Sequence, residues 1–359
     1  MSSSEPISLQ GAVCPLPLLH KDVIVMGHGS GGRMTQELIE RVFTPNFRND
    51  ALQQGNDAAL LPLPTGANLK GSLSISTDSH IVTPLFFPGG DIGRLAICGT
   101  VNDVAMLGAD PLYLTAGFIL EEGLPVEILE KVAASMKTAA REAGVTIVAG
   151  DTKVVEKGKG DGLYINTAGV GWVPEGRTIG GQFARPGDEI LISGTLGDHG
   201  VAVLAARGEL GFETDVASDV APLNHLIAAV IQAAPHVHVL RDPTRGGLAT
   251  TLNEIAVQSK VGIWLDETAI PIQPAVRAVC EMLGFDPLYL ANEGKVIVIL
   301  PHDETEAALE AMRRSPYGAR ATRIGAVKAT PPGRVLMRTP IGAARVLDVM
   351  AGEMLPRIC

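Results

Sequence analysis

Apolar residues recur along this chain at helical and strand spacings, never in one block long enough to cross a bilayer. Met34, Leu38, Ile39 and Val42 share one face of a helix expected near 34–43. Leu73-Ser74-Ile75-Ser76-Thr77 alternates as a strand does and runs into Asp78. Leu129, Val132, Ala133, Met136, Ala140 and Ala143 keep helical register over 125–143, and Gly144 suits the left-handed residue that closes such a helix. Val145-Thr146-Ile147-Val148 then reads as a buried strand leading to Gly150-Asp151-Thr152. The second half alternates more loosely. Its expected strands are 188–192, 236–240, 261–265, 296–300 and 322–327, and its expected helices lie near 199–207, 222–233, 247–258, 274–283 and 303–314.

A length of 359 residues exceeds one ordinary core and points to two domains. Pro174 and Gly176 cluster after a strand in Val173-Pro174-Glu175-Gly176-Arg177, which marks the boundary. The expected division is a leader over 1–22, an N-terminal domain over 23–174, a C-terminal domain over 175–344 and a flexible tail over 345–359. Mixed strands and helices in both halves give α/β or α+β domains.

A net charge of −10 and only 4% aromatic residues argue against nucleic acid and anionic membrane as partners. Met1-Ser2-Ser3-Ser4-Glu5-Pro6 lacks the basic and apolar run of a secretion signal. Cys14, Cys98, Cys280 and Cys359 show no CxxC spacing, so neither a zinc site nor a disulfide framework is indicated. Reduced thiols and a cytoplasmic protein are expected.

Gly27-His28-Gly29-Ser30-Gly31-Gly32 opens a helix with four glycines in six residues. Such a loop lets several backbone N–H groups approach one anion, although it is neither the P-loop nor the dinucleotide fingerprint. Asp57, Asp78, Asp103 and Asp151 make a stronger case. Asp103 falls on the apolar face of a helical register over 91–108, where a carboxylate is costly unless it is paired or binds a metal. Oxygen ligands beside a phosphate site suit Mg²⁺. An aspartate that caps a helix or pairs with arginine is the plainer alternative at each position. Lys153 follows Asp151 by two residues, and His80 follows Asp78 likewise, so each pair would share a strand face.

Arg241-Asp242-Pro243-Thr244-Arg245-Gly246-Gly247 links a strand to a helix, again as an anion-facing turn. Glu293, in Asn292-Glu293-Gly294-Lys295, is either a solvated turn residue or a base in a cleft between domains. The chain ends at Cys359, where a thiol gains reach and loses packing value. Pro356 cannot continue a helix, so the last residues are expected to leave the fold as an extended arm.

Together, Met26–Gly32, Gly55–Ala59, Thr77–His80, Asn102–Ala105, Ala149–Lys153, Asp242–Gly247, Asn292–Gly294 and Pro356–Cys359 resemble the motifs of the HypE family of hydrogenase maturation factors. The internal motifs are shared with the aminoimidazole ribonucleotide synthetase, selenophosphate synthetase and thiamine-monophosphate kinase superfamily, and the terminal one narrows the resemblance. It implies a two-domain PurM-like fold, in which an N-terminal α/β sheet forms a barrel with that of its homodimer mate and a C-terminal α+β domain follows. It also implies ATP and Mg²⁺, with Gly29, Gly31, Gly32, Asn102, Thr152 and Asp242 at the nucleotide and Asp57, Asp78, Asp103 and Asp151 at the metal. The implied reaction starts when the carbamoyltransferase HypF carbamoylates the Cys359 thiol. ATP-dependent loss of water then makes a thiocyanate, and the cyanide passes to iron on a HypC–HypD scaffold.

An amide oxygen is a poor leaving group, so it must be activated, and its attack on the γ-phosphate would do so. Lys153 would help neutralise phosphate. Glu293 is the first choice for the base and His80 the second. Cys14 has no counterpart in the family pattern and reads as incidental. A small-molecule phosphotransferase, or a carrier without catalysis, are the rival readings.

Overall fold

Alternation on the strand that ends in Asp78 and His80 organises the N-terminal domain. In this computed structural model, which describes residues 32–44, 50, 52–62, 70–208, 211, 213–350, 355, 358 and 359, Gly32 caps a short helix α1 (Arg33–Leu38). A π-helical turn, Ile39–Phe43, continues it. Next come β1 (Ala59–Pro62), β2 (Gly71–His80), β3 (Phe86–Phe87), β4 (Gly90–Asp91) and helix α2 (Ile92–Ala105). β5 (Asp110–Glu121), helix α3 (Val126–Ala143), β6 (Thr146–Val155) and β7 (Leu163–Pro174) complete the domain. Gly144 closes α3 in the left-handed conformation, at φ 74°, as its sequence position predicts.

Five strands form one sheet in the order β1-β2-β7-β5-β6, antiparallel except between β5 and β6. Ser74, Ser76 and His80 on β2 and alternate residues of β7 face α2 and are buried. The opposite face carries the exposed Ile75, Tyr113 and Ile119. Among the described residues the sheet is open, with no closed barrel within the chain. Two expectations need correction here. Of the segment expected as a buried strand, Val145–Val148, only Val145 is buried, and Thr146–Val148 begin the exposed edge strand β6, where Val148 is 57% exposed. No strand is predicted over 110–121, yet β5 lies inside the sheet. Apolar side chains on both of its faces hide the alternation, and Pro111 and Gly117 interrupt it.

The C-terminal domain runs β8 (Glu189–Ile192), α4 (Asp198–Arg207), α5 (Asn224–Ala233), β9 (Val239–Arg241), α6 (Gly247–Ser259) and β10 (Gly262–Asp266). It continues through α7 (Pro274–Leu283), β11 (Ile297–Leu300), α8 (Thr305–Arg314), β12 (Thr322–Lys328), β13 (Arg334–Arg338) and β14 (Ala344–Leu347). The seven strands are ordered β14-β13-β10-β12-β8-β11-β9, and only β10 and β13 are parallel. β8 and β11 are buried on both faces, which explains their unbroken apolar runs. α6 packs on one side, while α5 and α8 cover the other and meet Met106 at the end of α2.

The expected tail starts too early. Arg345 to Leu347 lie in β14, and Leu347 is fully buried. The described end is also not an arm in solvent, because Leu355, Ile358 and Cys359 pack against the N-terminal core.

The approach of α2 to the sheet depends on glycine. A Cβ at Gly171 on β7 would lie 2.5 Å from Val104 Cγ1 and 3.0 Å from the Asp110 carbonyl oxygen. Gly171→Val is therefore expected to destabilise the protein by about 1–3 kcal/mol, the usual cost of overpacking. A urea midpoint equal to that of the wild type would show that α2 can move away at no cost.

Candidate active site

The chemistry-bearing residues meet where the inner face of β2, the helix α2 and the loops of the second domain converge. Ser76, Asp78 and His80 point inward from β2 because they share its buried parity. Ser76 Oγ donates to Asp103 Oδ2 of α2 at 2.7 Å. His80 Nε2 lies 3.6 Å from Asp78 Oδ2. Helix and strand come this close because residue 99 has no side chain. A Cβ there would sit 3.1 Å from His80 Cε1 and 3.2 Å from Asp78 Oδ2.

From the second domain, β9 ends in Arg241 and delivers Asp242, followed by the turn that carries Arg245. Arg241 Nε lies 2.6 Å from Asp57 Oδ2, and its Nη2 lies 2.7 Å from Glu254 Oε2. Arg245 Nη2 approaches Asp78 Oδ1 at 4.0 Å.

Negative charge exceeds positive charge in this cleft. Burial raises the Asp57 carboxyl to about 6 even though Arg241 opposes the shift. Asp242 is pushed up to about 8 by burial and then by Asp57. Asp103 is driven well above the usual carboxylate range, first by desolvation and then by Asp242, Asp78 and Asp57. Glu293 is buried and shifts the same way, through desolvation and then Asp78, Asp242 and Asp219. Its Oε1 has no hydrogen-bond partner, and neither ring nitrogen of His80 has one. Burial lowers the pKa of His80, which favours the neutral ring.

The chain end lies in the same cleft. The N–H of Ile81 donates to the main-chain oxygen of Cys359 at 3.1 Å, and Ile358 is 5% exposed. Cys359 is the largest influence holding the Arg245 guanidinium protonated, ahead of Asp78 and Glu293.

Asp78, Asp103, Asp242, His80, Glu293 and Cys359 are thus brought together. Asp57 borders them, and its carboxylate pairs with Arg241, which makes it a tie between the domains. Asn102 was expected at the nucleotide. Its Nδ2 donates to the Ala221 carbonyl at 3.0 Å and its Oδ1 accepts from Leu223 N–H at 2.8 Å, which uses up both ends of the amide. It therefore docks the second domain.

Asp151, Thr152 and Lys153 do not join the cluster within one chain. Asp151 lies in line with Gly117, Asn166 and Ser79, on the outward parity of the sheet. Three strand spacings, about 14 Å, separate β6 from β2. Lys153 Nζ pairs with Asp151 at 2.9 Å, both side chains are 71% exposed, and Thr152 N–H donates to Asp151 Oδ1 at 2.9 Å. Gly29, Gly31 and Cys14 lie outside the described residues, whereas Gly32 caps α1. Arg241, Arg245, Asp219 and Lys295 received no role from the sequence. Arg241 and Arg245 flank Asp242 within one quoted turn, and that spacing was the available signal.

The cleft suits a cation bound together with phosphate. Carboxylates that raise one another's pKa lack positive charge, and unpartnered buried polar atoms call for water or a ligand. Among the described residues no three His, Cys, Asp or Glu side chains form a metal cage on their own. That agrees with Mg²⁺, which usually binds through one or two carboxylates plus water and substrate phosphate. Asp78, Asp103 and Asp242 face this cleft, and one or two of them would hold it.

Comparison with known proteins agrees with this architecture. Residues 55–173 match the N-terminal domain of AIR synthase related proteins, and residues 185–338 match the C-terminal domain. The chain is 57% identical to the carbamoyl dehydratase HypE of Cupriavidus necator, over 94% of this chain and 95% of that one. A crystal structure of a HypE–HypF complex superposes with a TM-score of 0.81 at 51% identity, covering 87% of this chain and 99% of that one. A HypE structure in complex with ATP gives a TM-score of 0.78 at 53% identity, covering 94% and 100%.

The excess of carboxylates makes a prediction about stability. A carboxyl group whose pKa is higher in the fold than in the unfolded chain binds its proton more tightly in the fold. Its contribution is thus most favourable below about pH 4 and is lost as the pH rises through the folded value. With Asp57 near 6 and Asp242 near 8, the nucleotide-free protein should lose stability between about pH 4 and 8. Asp103→Asn removes one of the repelling charges. It is expected to raise the melting temperature at pH 8 by at least about 2 °C, the shift that 1 kcal/mol gives in domains of this size, while abolishing ATP turnover. A lower melting temperature at pH 8 would contradict the repulsion argument.

Proposed function

This chain belongs to the HypE carbamoyl dehydratase family of the AIR synthase related proteins, and from that premise we propose that it dehydrates a carbamoyl group on its own Cys359 thiol to a thiocyanate, consuming ATP. The product supplies cyanide for the iron of nickel–iron hydrogenase. The observation that carries this reading is the position of the chain end, held by Ile81 N–H beside His80 and Arg245 in an acidic cleft. A carrier without catalysis would not require its terminal residue among buried titratable groups, and a small-molecule phosphotransferase would not require a terminal residue at all.

Each step has a residue to serve it. Activation places phosphate on the amide oxygen, and Arg245 lies where it can balance the developing charge. Mg²⁺, which one or two of Asp78, Asp103 and Asp242 would hold, would supply further charge neutralisation. Loss of phosphate with formation of the C≡N bond requires removal of the amide protons. Glu293 is the base of choice, since burial raises its affinity for protons and its Oε1 is unpartnered. His80, neutral and without hydrogen bonds, is the second candidate.

HypF is the proposed carbamoyl donor, in keeping with the HypE–HypF complex of a relative, and the HypC–HypD scaffold is the proposed acceptor. To serve all of them the tail must leave the cleft, so the docked end is one position of a mobile segment. The outward face of the N-terminal sheet, with Ile75, Tyr113 and Ile119 exposed, is proposed to meet a second copy and close a barrel. Asp151 and Lys153 lie on that face, where a mate would cover them. Among the described residues no helix is long and apolar enough to cross a membrane, and a reducing cytoplasm is the proposed setting for the free thiol.

Incubation with HypF, carbamoyl phosphate and ATP should add the mass of one carbamoyl group and then remove one water. Cys359→Ala is expected to block both changes and leave ATP binding intact. An adduct mapped to Cys98 or Cys280 would overturn the assignment. Both of these thiols are buried, and burial pushes them to about 12 and about 11.

Glu293→Gln should accept the carbamoyl group normally and lose water about 10²–10⁴-fold more slowly, the usual worth of a general base. Dehydration at the wild-type rate would transfer the role to His80.

A further inference from the structure

Two main-chain oxygens fix the end of the chain. Cys359 O accepts from Ile81 N–H, and Ile358 O lies 2.7 Å from Nε2 of His199. His199 stands in the first turn of α4, is fully buried and meets Phe87 edge-on at 5.5 Å. A carbonyl can only accept, so Nε2 carries the proton. Nδ1 is then the bare nitrogen. It lies 2.8 Å from Ser218 Oγ, a hydroxyl that donates to it while accepting from Val220 N–H at 3.1 Å. The neighbouring Asp219 accepts from Glu293 N–H at 3.0 Å and pairs with Lys295 Nζ at 2.9 Å. One short loop therefore orients both the histidine that holds the tail and the backbone of the proposed base.

We propose that His199 is a positioning residue: its Nε2–H holds the Ile358 carbonyl, Ser218 fixes its tautomer, and together they hold the Cys359 thiol in the cleft with Glu293. The inference rests on Cys359 as the carrier of the reacting group. It predicts that the residue governs occupancy of the docked state, with no part in carbamoyl transfer or ATP binding.

The test uses the full-length protein without nucleotide or carbamoyl donor. Alkylation of each cysteine by iodoacetamide is followed by peptide mapping. Loss of one hydrogen bond should raise the Cys359 rate about three- to tenfold in His199→Ala. Ser218→Ala should raise it less, and His199→Gln, which keeps an N–H donor, should return it towards wild type. Cys98 and Cys280 are buried and report folding. If His199→Ala exposes them, Ser218→Ala decides.

Alkylation of Cys359 at the wild-type rate in the folded variants would overturn the proposal. With a carbamoylated tail, His199→Ala should dehydrate at least several-fold more slowly while accepting the carbamoyl group as fast as wild type. Equal dehydration rates would also count against it. Should the wild-type protein itself never dehydrate its tail, the functional reading fails, and the alkylation result still decides whether His199 holds the chain end.

Discussion

The arrangement of the cleft depends on one buried guanidinium. Arg241 joins Asp57, just before β1 of the first domain, to Glu254 on α6 of the second, and its side chain is 9% exposed. Burying three charges is costly, and removing any one partner would leave an uncompensated ion inside the protein. Neutral bonds reinforce the same seam. Gln258 Nε2 donates to the Gly55 carbonyl at 2.9 Å, and Gly181 N–H donates to Asn56 Oδ1 at 2.9 Å. Asp242 is the next residue after Arg241 and Arg245 follows three later. The tie that joins the domains therefore also determines where the catalytic turn meets β2.

Once the domains are joined, the remaining charges are left unbalanced. Asp103, Asp242 and Glu293 are buried close to one another and to Asp78, and the guanidinium groups of Arg245 and the already paired Arg241 oppose them only in part. A protein selected only for stability would not keep this group. On the proposed function the cleft attracts cationic metal with polyphosphate and benefits from it, because binding would relieve the repulsion. The strain thus links fold and activity, and it lies at the seam where neither domain alone would create it.

How much of this was legible in the sequence follows from the range of the interactions involved. Asp103 on an apolar helical register identified the cleft, because a carboxylate among apolar residues violates a local rule. Helices with one apolar face, such as α3 and α7, appeared close to their true limits for the same reason. β5 escaped because both of its faces are apolar, one towards the core and one towards solvent, so no alternation remained. Asp151 was grouped with the other aspartates on residue type and motif. Only the pairing register puts it on the opposite face of the sheet, three strands away. Asn102 and Arg241 fall within motifs, but the Ala221 partner of one and the Asp57 partner of the other lie more than a hundred residues distant, and no local pattern reveals such contacts.

The chain end is held firmly enough to define a position and weakly enough to be released. Burial of the Ile358 side chain contributes about 1.5–3 kcal/mol, and the two hydrogen bonds to the last main-chain oxygens contribute about 0.5–1.5 kcal/mol each. Ordering the last two residues costs about 1–2 kcal/mol apiece in backbone entropy, and the isoleucine rotamers add about 0.5–1 kcal/mol. These terms nearly cancel, and the packing of Leu355 and Cys359 against the N-terminal core tips the balance modestly towards the docked end. On the proposed function the Cys359 thiol visits a carbamoyl donor, its own active site and a cyanide acceptor, and a modest preference for the docked end suits that traffic, because a tightly bound tail would never leave and a loose one would dilute the reaction. On this reading Cys359 owes its role to the contacts that Ile358 and the last two main-chain oxygens make in the cleft.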